Sequence, residues 1–317
     1  MRRQPRSGPH EACRRWRGSG PSGPHDTGAP RALPDPAAPE SCHRARALRR
    51  EEARSAWGVC VPVARGLQEG AGMIPVEIAV DTLAGIAAAA EGGAARVELC
   101  AALSEGGLTP PPGLMAAAGQ AGLPVFAMIR PRSGLFHWSE PEIAAMRQDV
   151  RAARAAGLQG VVIGAQTAGG ELDAAVLAML IAEARPLGVT LHRVIDVLPD
   201  PARALEAAIG LGIDRVLTSG GAATAWEGRA ALAGLVQQAA GRISVMAGSG
   251  VTAEEVRALV AATGVDEVHA SCRGAAEAAA PLGFDPPGGR RGTDPRRVAA
   301  LVAALEERPT LDAMLSH

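Results

Sequence analysis

The chain has 317 residues, enough for two average domains or one large α/β barrel, and 47% of them are hydrophobic, which is material for a sizeable core. Only 2% are aromatic, so that core must be packed by Ala, Val, Leu and Ile, and a net charge of −1 argues against both nucleic acid and an anionic membrane as partners. All 32 basic residues are Arg; without lysine, Schiff-base aldolases and pyridoxal enzymes are excluded, because both need an amine.

Residues 1–72 hold thirteen Arg against seven acids, so the remainder carries about −7. This segment is rich in Arg, Pro, Gly, Ala and Ser and has no sustained period of 2 or 3.6. Runs such as Ser19-Gly20-Pro21-Ser22-Gly23-Pro24 continue neither a helix nor a central strand. It reads as a disordered extension, or as an over-extended start upstream of Met73. Its acids, Glu11 and Asp26 among them, speak against a transit peptide, and no apolar h-region follows the charges. The cysteines (Cys13, Cys42, Cys60, Cys100, Cys272) form no CxxC pair, and reduced thiols in a cytoplasmic setting are the default. No apolar run approaches the ~20 residues of a membrane span.

At Met73 the texture changes. A β-branched run, Val76–Val80, precedes an Ala-rich helical stretch from Thr82 to Glu91, then Gly92-Gly93 and a second apolar run, Arg96 to Cys100. The unit recurs with a glycine at each helix end. Gly122 precedes Pro124–Ile129, Gly157 precedes Gly160–Ile163, and Gly188 precedes Val189–Arg193. Gly212 precedes Asp214–Thr218, Gly241 precedes Arg242–Met246, and Gly264 precedes Val265–Ala270. Glycine suits the left-handed turn past a helix C-terminus. Helix starts are marked at Ser139-Glu140-Pro141-Glu142, Asp200-Pro201, Thr252-Ala253-Glu254-Glu255 and Asp294-Pro295. Eight strands alternating with helices predict a (β/α)8 TIM-type barrel over residues 73–306, with 307–317 as a C-terminal tail. An open doubly wound sheet is the weaker alternative, since no phosphate-cradling GxGxxG follows the first strand.

Alternate residues of a barrel strand face the helices and the axis, and the helix-facing set must be apolar. That parity turns Glu77, Ala79 and Asp81 of the first strand inward, with Arg96, Glu98 and Cys100 of the second and Phe126, Met128 and Arg130 of the third. His192 of the fifth strand, Ser244 and Met246 of the seventh, and Glu267, His269 and Ser271 of the eighth also point in. A barrel interior is normally filled with branched apolar side chains, so buried charges here must pair with each other or with a ligand. An internal salt-bridge network that only sets packing is the bland account.

These residues carry a resemblance. Arg96-Val97-Glu98-Leu99-Cys100 with Ser104-Glu105-Gly106-Gly107-Leu108-Thr109-Pro110 resembles the signature of the CutC copper homeostasis family. So do Met128-Ile129-Arg130-Pro131-Arg132, Leu191-His192-Arg193 with Asp196, Leu217-Thr218-Ser219-Gly220-Gly221, Met246–Gly250 and Glu267–Ser271. The match runs in order from 73 to about 273. It implies a (β/α)8 barrel, a cytoplasmic location and a part in copper tolerance. Many members place a second cysteine on the first strand, where this chain has Ala79, so a copper site built on a cysteine pair is incomplete here.

Two functions are open. Copper(I) prefers thiolate and thioether, with imidazole acceptable, which makes Cys100, His192 and His269 the candidate metal ligands and Met128 and Met246 auxiliaries. The alternative is an isomerase, epimerase or lyase acting without lysine on a phosphorylated or carboxylated substrate at the C-terminal face. Glu98 and His192 would be its acid/base pair, Arg130 its anion clamp and His269 a further catalytic candidate. Gly248, Ser249, Gly250 and Ser271 would hold its phosphate, where such barrels commonly bind one. A scaffold or metal chaperone would need an exposed binding surface that the sequence does not display. The expectation is a copper-homeostasis barrel whose partner is a copper ion or a small anionic ligand, with a homo-oligomer left open.

Overall fold

The computed structural model describes residues 73–277, 282 and 288–306. The expectations for 1–72 and 307–317 lie outside them. Eight parallel strands close into a barrel in sequence order: β1 Val76–Val80, β2 Arg96–Leu99, β3 Val125–Met128, β4 Gly160–Ile163, β5 Gly188–Leu191, β6 Arg215–Thr218, β7 Ser244–Ala247 and β8 Glu267–Ala270. The helices are α1 Leu83–Glu91, α2 Pro112–Ala118, α3 Glu140–Ala155, α4 Ala174–Ala184, α5 Pro201–Gly210, α6 Arg229–Ala239, α7 Val256–Thr263 and α8 Pro295–Glu306. One follows each strand.

The helix boundaries follow from side-chain chemistry. Thr82 caps α1 by accepting the Gly85 N–H, and Asp200 caps α5 through the Arg203 N–H. Ser139 and Glu142 form the expected capping box of α3, with Pro141 in the first turn. Two junctions differ from expectation. Thr252–Glu255 forms a separate turn before α7 begins at Val256, with the Val256 N–H donating to the Thr252 carbonyl. Gly188 is the first residue of β5 rather than a left-handed helix stop, and α4 instead ends just ahead of Pro186.

Parity divides the interior in two. Ile78, Val97, Leu99, Val125, Ala127, Val161, Val189, Leu191, Val216 and Val268 turn outward into one continuous core beneath the helices. Cys100, Phe126, Met128 and Val162 form a separate small cluster inside the barrel. Two inward glycines make that inner filling feasible. A Cβ on Gly160 would lie 2.1 Å from the Phe126 ring, and one on Gly188 would lie 3.0 Å from it. A single aromatic ring therefore occupies volume that three strands would otherwise fill.

Candidate functional site

The floor of the interior is a charge network. Glu77 stands in register with Arg96 on one side and His269 on the other, because β1 closes the barrel against both β2 and β8. Its carboxylate accepts from Arg96 Nε and, at 2.8 Å, pairs with His269 Nδ1. Arg96 also pairs with Glu267, which takes Arg215 Nε at 2.7 Å and the Ser244 hydroxyl at 2.6 Å. The Arg96 and Arg215 guanidiniums lie 5.6 and 5.4 Å from the Phe126 ring centroid. Buried charges of both signs compensate one another here, which is what burial demands.

Above the floor the charges are no longer matched. Glu98 Oε2 lies 3.8 Å from His269 Nε2 and 3.5 Å from Cys100 Sγ, while its Oε1 is buried without a hydrogen-bond partner. Burial pushes the Glu98 carboxyl up, partly offset by the positive charge of His269 and reinforced by Glu77. Burial would lower His269, but the Glu98 charge and the bond to Glu77 outweigh it and hold the imidazole above its ordinary value. Glu77 also loses solvation, yet Arg96 and His269 bring it down to about 2. Glu77 is held as an anion, whereas Glu98 is pushed toward its protonated form.

His192 is set differently. Its Nδ1 accepts the Val194 N–H at 3.0 Å, at the start of the short 3-10 turn Arg193–Val197. The ring proton must then sit on Nε2, which is buried without a partner. Burial and the nearby Arg130 charge lower the imidazole to about 3, so it is neutral near pH 7. Phe136 packs against the ring at 4.5 Å between centroids, and Gly164 leaves it room, since a Cβ there would fall 2.1 Å from it.

Glu98, Arg130, His192 and His269 all line one cavity of about 900 Å³ at the C-terminal ends of the strands, a size suited to a small-molecule ligand. Arg130 is less free than a clamp would be: it donates to the carbonyls of Glu105, Gly107 and Gly134, leaving only Nε unpartnered. The imidazole beside Glu98 is His269, while His192 stands elsewhere on the same cavity wall. Nor do Cys100, His192 and His269 form one ligand set. Among the described residues the donor atoms that converge within 4.8 Å belong to Glu77, Glu98 and His269. Two of these are already committed to each other and to Arg96, and the His192 tautomer offers no lone pair to a metal. Cys100 is fully buried and absent from the cavity wall, with its sulfur where a Cβ on Gly107 would lie 2.9 Å away. Burial and the Glu98 charge push its thiol well up. Met246 sits in the floor, accepting from Arg96 at 3.1 Å, while Met128 reaches the cavity.

The proposed phosphate residues divide as well. Ser249, Gly250 and Ser271 line the cavity, but the Ser249 hydroxyl is engaged with the Ala223 carbonyl at 2.7 Å. Gly248 acts sterically: a Cβ there would meet Leu217 at 2.5 Å and His269 at 3.4 Å. The structure adds Arg273 and Arg297 to the cavity wall, and Arg273 Nε is buried without a partner. One signal for Arg297 was present in the sequence: Arg296-Arg297 stands in the first turn of α8, where the helix dipole disfavours cations. By contrast Asp196, also on the wall, is saturated by Arg193, Thr218, Ser219 and Gly221, and so braces the loops after β5 and β6.

Among the described residues no helix is long and apolar enough to cross a membrane. Residues 74–274 match the model of the CutC family. A family protein CutC of Rhizobium meliloti (strain 1021) is 48% identical over 237 residues, covering 74% of this chain and 96% of its own. One of Caulobacter vibrioides (strain NA1000 / CB15N) is 51% identical over 236 residues, covering 73% and 96%. The crystal structure of a protein assigned to copper homeostasis, CutC from Streptococcus agalactiae, superposes with a TM-score of 0.61 at 30% identity, over 63% of this chain and 99% of that one.

Proposed function

The chain belongs to the CutC family, and from that premise we propose that its barrel takes a small anionic molecule into the C-terminal cavity and performs proton transfer on it. The observation that carries this reading is the Glu77–His269–Glu98 chain. Glu77 fixes His269 through Nδ1, so Nε2 is presented to Glu98, whose other oxygen has no protein partner and whose side chain lines the cavity. A carboxyl raised by burial beside an imidazole raised by carboxylates is an arrangement suited to proton exchange. The anion would be held by Arg273 and Arg297, whose side chains have no carboxylate bound to them among the described ion pairs.

The test is calorimetry and thermal shift with a panel of small phosphorylated and carboxylated compounds, on the wild type, Arg273→Ala and Glu98→Gln. Anions should raise the melting temperature of the wild type, with the effect lost in Arg273→Ala and retained in Glu98→Gln. A wild type indifferent to every anion refutes the reading.

Copper binding, which a part in copper homeostasis such as that assigned to the Streptococcus relative would call for, is a second reading favoured by one observation: Cys100 and Met128 share the small cluster inside the barrel. Its weakness is physical. One thiol, held protonated by burial and by Glu98, must lose its proton beneath a covering loop before it can ligate. Competition against a Cu(I) chelator, comparing wild type with Cys100→Ser and Cys272→Ser, decides it, and unchanged binding in Cys100→Ser removes the interior copper site.

A further inference from the structure

We infer that the reaction is enolisation of a phosphorylated carbonyl compound, with His192 the neutral donor to the carbonyl oxygen and Glu98 the group that moves the carbon-bound proton; this rests on the acid–base reading above. The geometry supplies two complementary atoms without protein partners. His192 is 3% exposed and Glu98 is 4% exposed, yet Nε2 of the one and Oε1 of the other are unpartnered, and both side chains line the same cavity. One is a donor by tautomer, fixed through the Val194 N–H. The other is an acceptor when its carboxyl is ionised. Glu98 stands on β2 and His192 just past the end of β5, three strands apart around the ring, and both face the one cavity.

Such a pair is what proton abstraction beside a carbonyl requires. Glu98 removes a proton from the carbon next to the carbonyl, and the C–H electron pair becomes the new C=C bond. The carbonyl π pair moves onto oxygen, where the His192 Nε2–H stabilises the developing charge. Return of a proton to carbon yields an isomer or epimer, with nothing oxidised or reduced overall and no co-reactant consumed. A neutral imidazole is a weak acid matched to an enediol, and does not form a static ion pair with the oxyanion. The protein keeps His192 neutral by burying it near Arg130. Room for the ring comes from Gly164, which any other residue would deny it. Arg273 and Arg297 line the cavity together with Ser249 and Gly250, and their guanidiniums are the groups that would bind a phosphate monoester.

The experiment compares two probes by calorimetry on the full chain: ethyl phosphate, which carries only the anionic group, and phosphoglycolohydroxamate, which adds a mimic of the enediolate. In the wild type the hydroxamate should bind at least about tenfold more tightly, roughly one hydrogen bond to a charged group. His192→Phe should erase that advantage and leave ethyl phosphate affinity unchanged, which also reports that the variant is folded. His192→Gln serves if the Phe variant does not fold. Equal affinity of the two probes in the wild type overturns the enolisation inference while the anion reading stands. Absence of binding by either overturns the phosphate class and the inference with it, and the broader anion reading is then judged by its own panel.

Discussion

His192 should make this protein sensitive to mild acid in a way that one substitution isolates. The folded chain holds the imidazole at about 3 against an ordinary value of 6.5, because it is buried and Arg130 stands near it. The unfolded chain takes up a proton near pH 6.5 while the folded chain does not, so acid favours the unfolded state. The contribution is absent well above 6.5, grows as pH falls below it, and levels off only near 3. Between about pH 7.5 and about pH 5 it amounts to roughly 2 kcal/mol. Glu98 and His269, both raised in the folded chain, act with the opposite sign, so the wild-type curve alone does not isolate the effect. His192→Asn does, because its Oδ1 replaces Nδ1 as the acceptor for the Val194 N–H and carries no titrating proton, leaving the other groups common to both chains. Urea denaturation of both at each pH should show the wild type losing roughly 2 kcal/mol relative to the variant as the pH is lowered. Parallel curves would mean that His192 is hydrated and titrates normally, and the neutral-donor argument would fail with it.

Glu77→Gln should destabilise the barrel by about 3–5 kcal/mol near neutral pH, since it strands Arg96 and His269 in the interior. Glu77, at about 2 rather than 4.5, contributes stability present above pH 4.5 and lost as pH falls toward 2, so the gap between wild type and variant measured in urea should narrow in acid. Gly164→Ala should cost about 1–3 kcal/mol by overpacking, because the new methyl would sit 2.1 Å from the His192 ring. Proton NMR should then show His192 titrating closer to 6.5, and an unmoved ring would refute the steric account.

Much of this site was legible because strand parity is a strong constraint. Once Val97, Leu99, Val125 and Ala127 must face the helices, Glu98, Phe126 and their neighbours have only the interior left. Partner choice was not legible. Glu98 meets His269 because β8 closes against β1, and the register that sets Glu77 between Arg96 and His269 exists only in the closed ring. Nor did the glycines disclose their purpose. Gly160 reads as the start of a strand and Gly248 as part of a phosphate loop, yet these two and Gly164 each clear space for a side chain far along the chain, up to 34 positions distant for Phe126 and Gly160. The His192 tautomer depends on a single backbone N–H in the turn that follows it, a local geometry without a compositional mark. Arg273 and Arg297 come from a loop and a helix terminus, outside the reach of strand alternation.

The division of labour among the four central groups follows from their surroundings, since the chain supplies two carboxylates and two imidazoles of identical intrinsic chemistry. Arg96 is the origin of the asymmetry. By pairing with Glu77 it keeps that carboxylate ionised, and an ionised Glu77 keeps His269 oriented and raised. Glu98 has no arginine bound to it among the described residues and is pushed up by burial, which is why the proton-exchange role is proposed for it. His192 lacks any carboxylate partner among the described residues and is forced neutral. Environments that separate like groups in this way are the basis of the proposed assignment of an acid–base pair and a neutral donor. An internal network serving packing alone would have had reason to satisfy Glu98 Oε1 and His192 Nε2, and both are left without a protein partner on side chains that line the cavity.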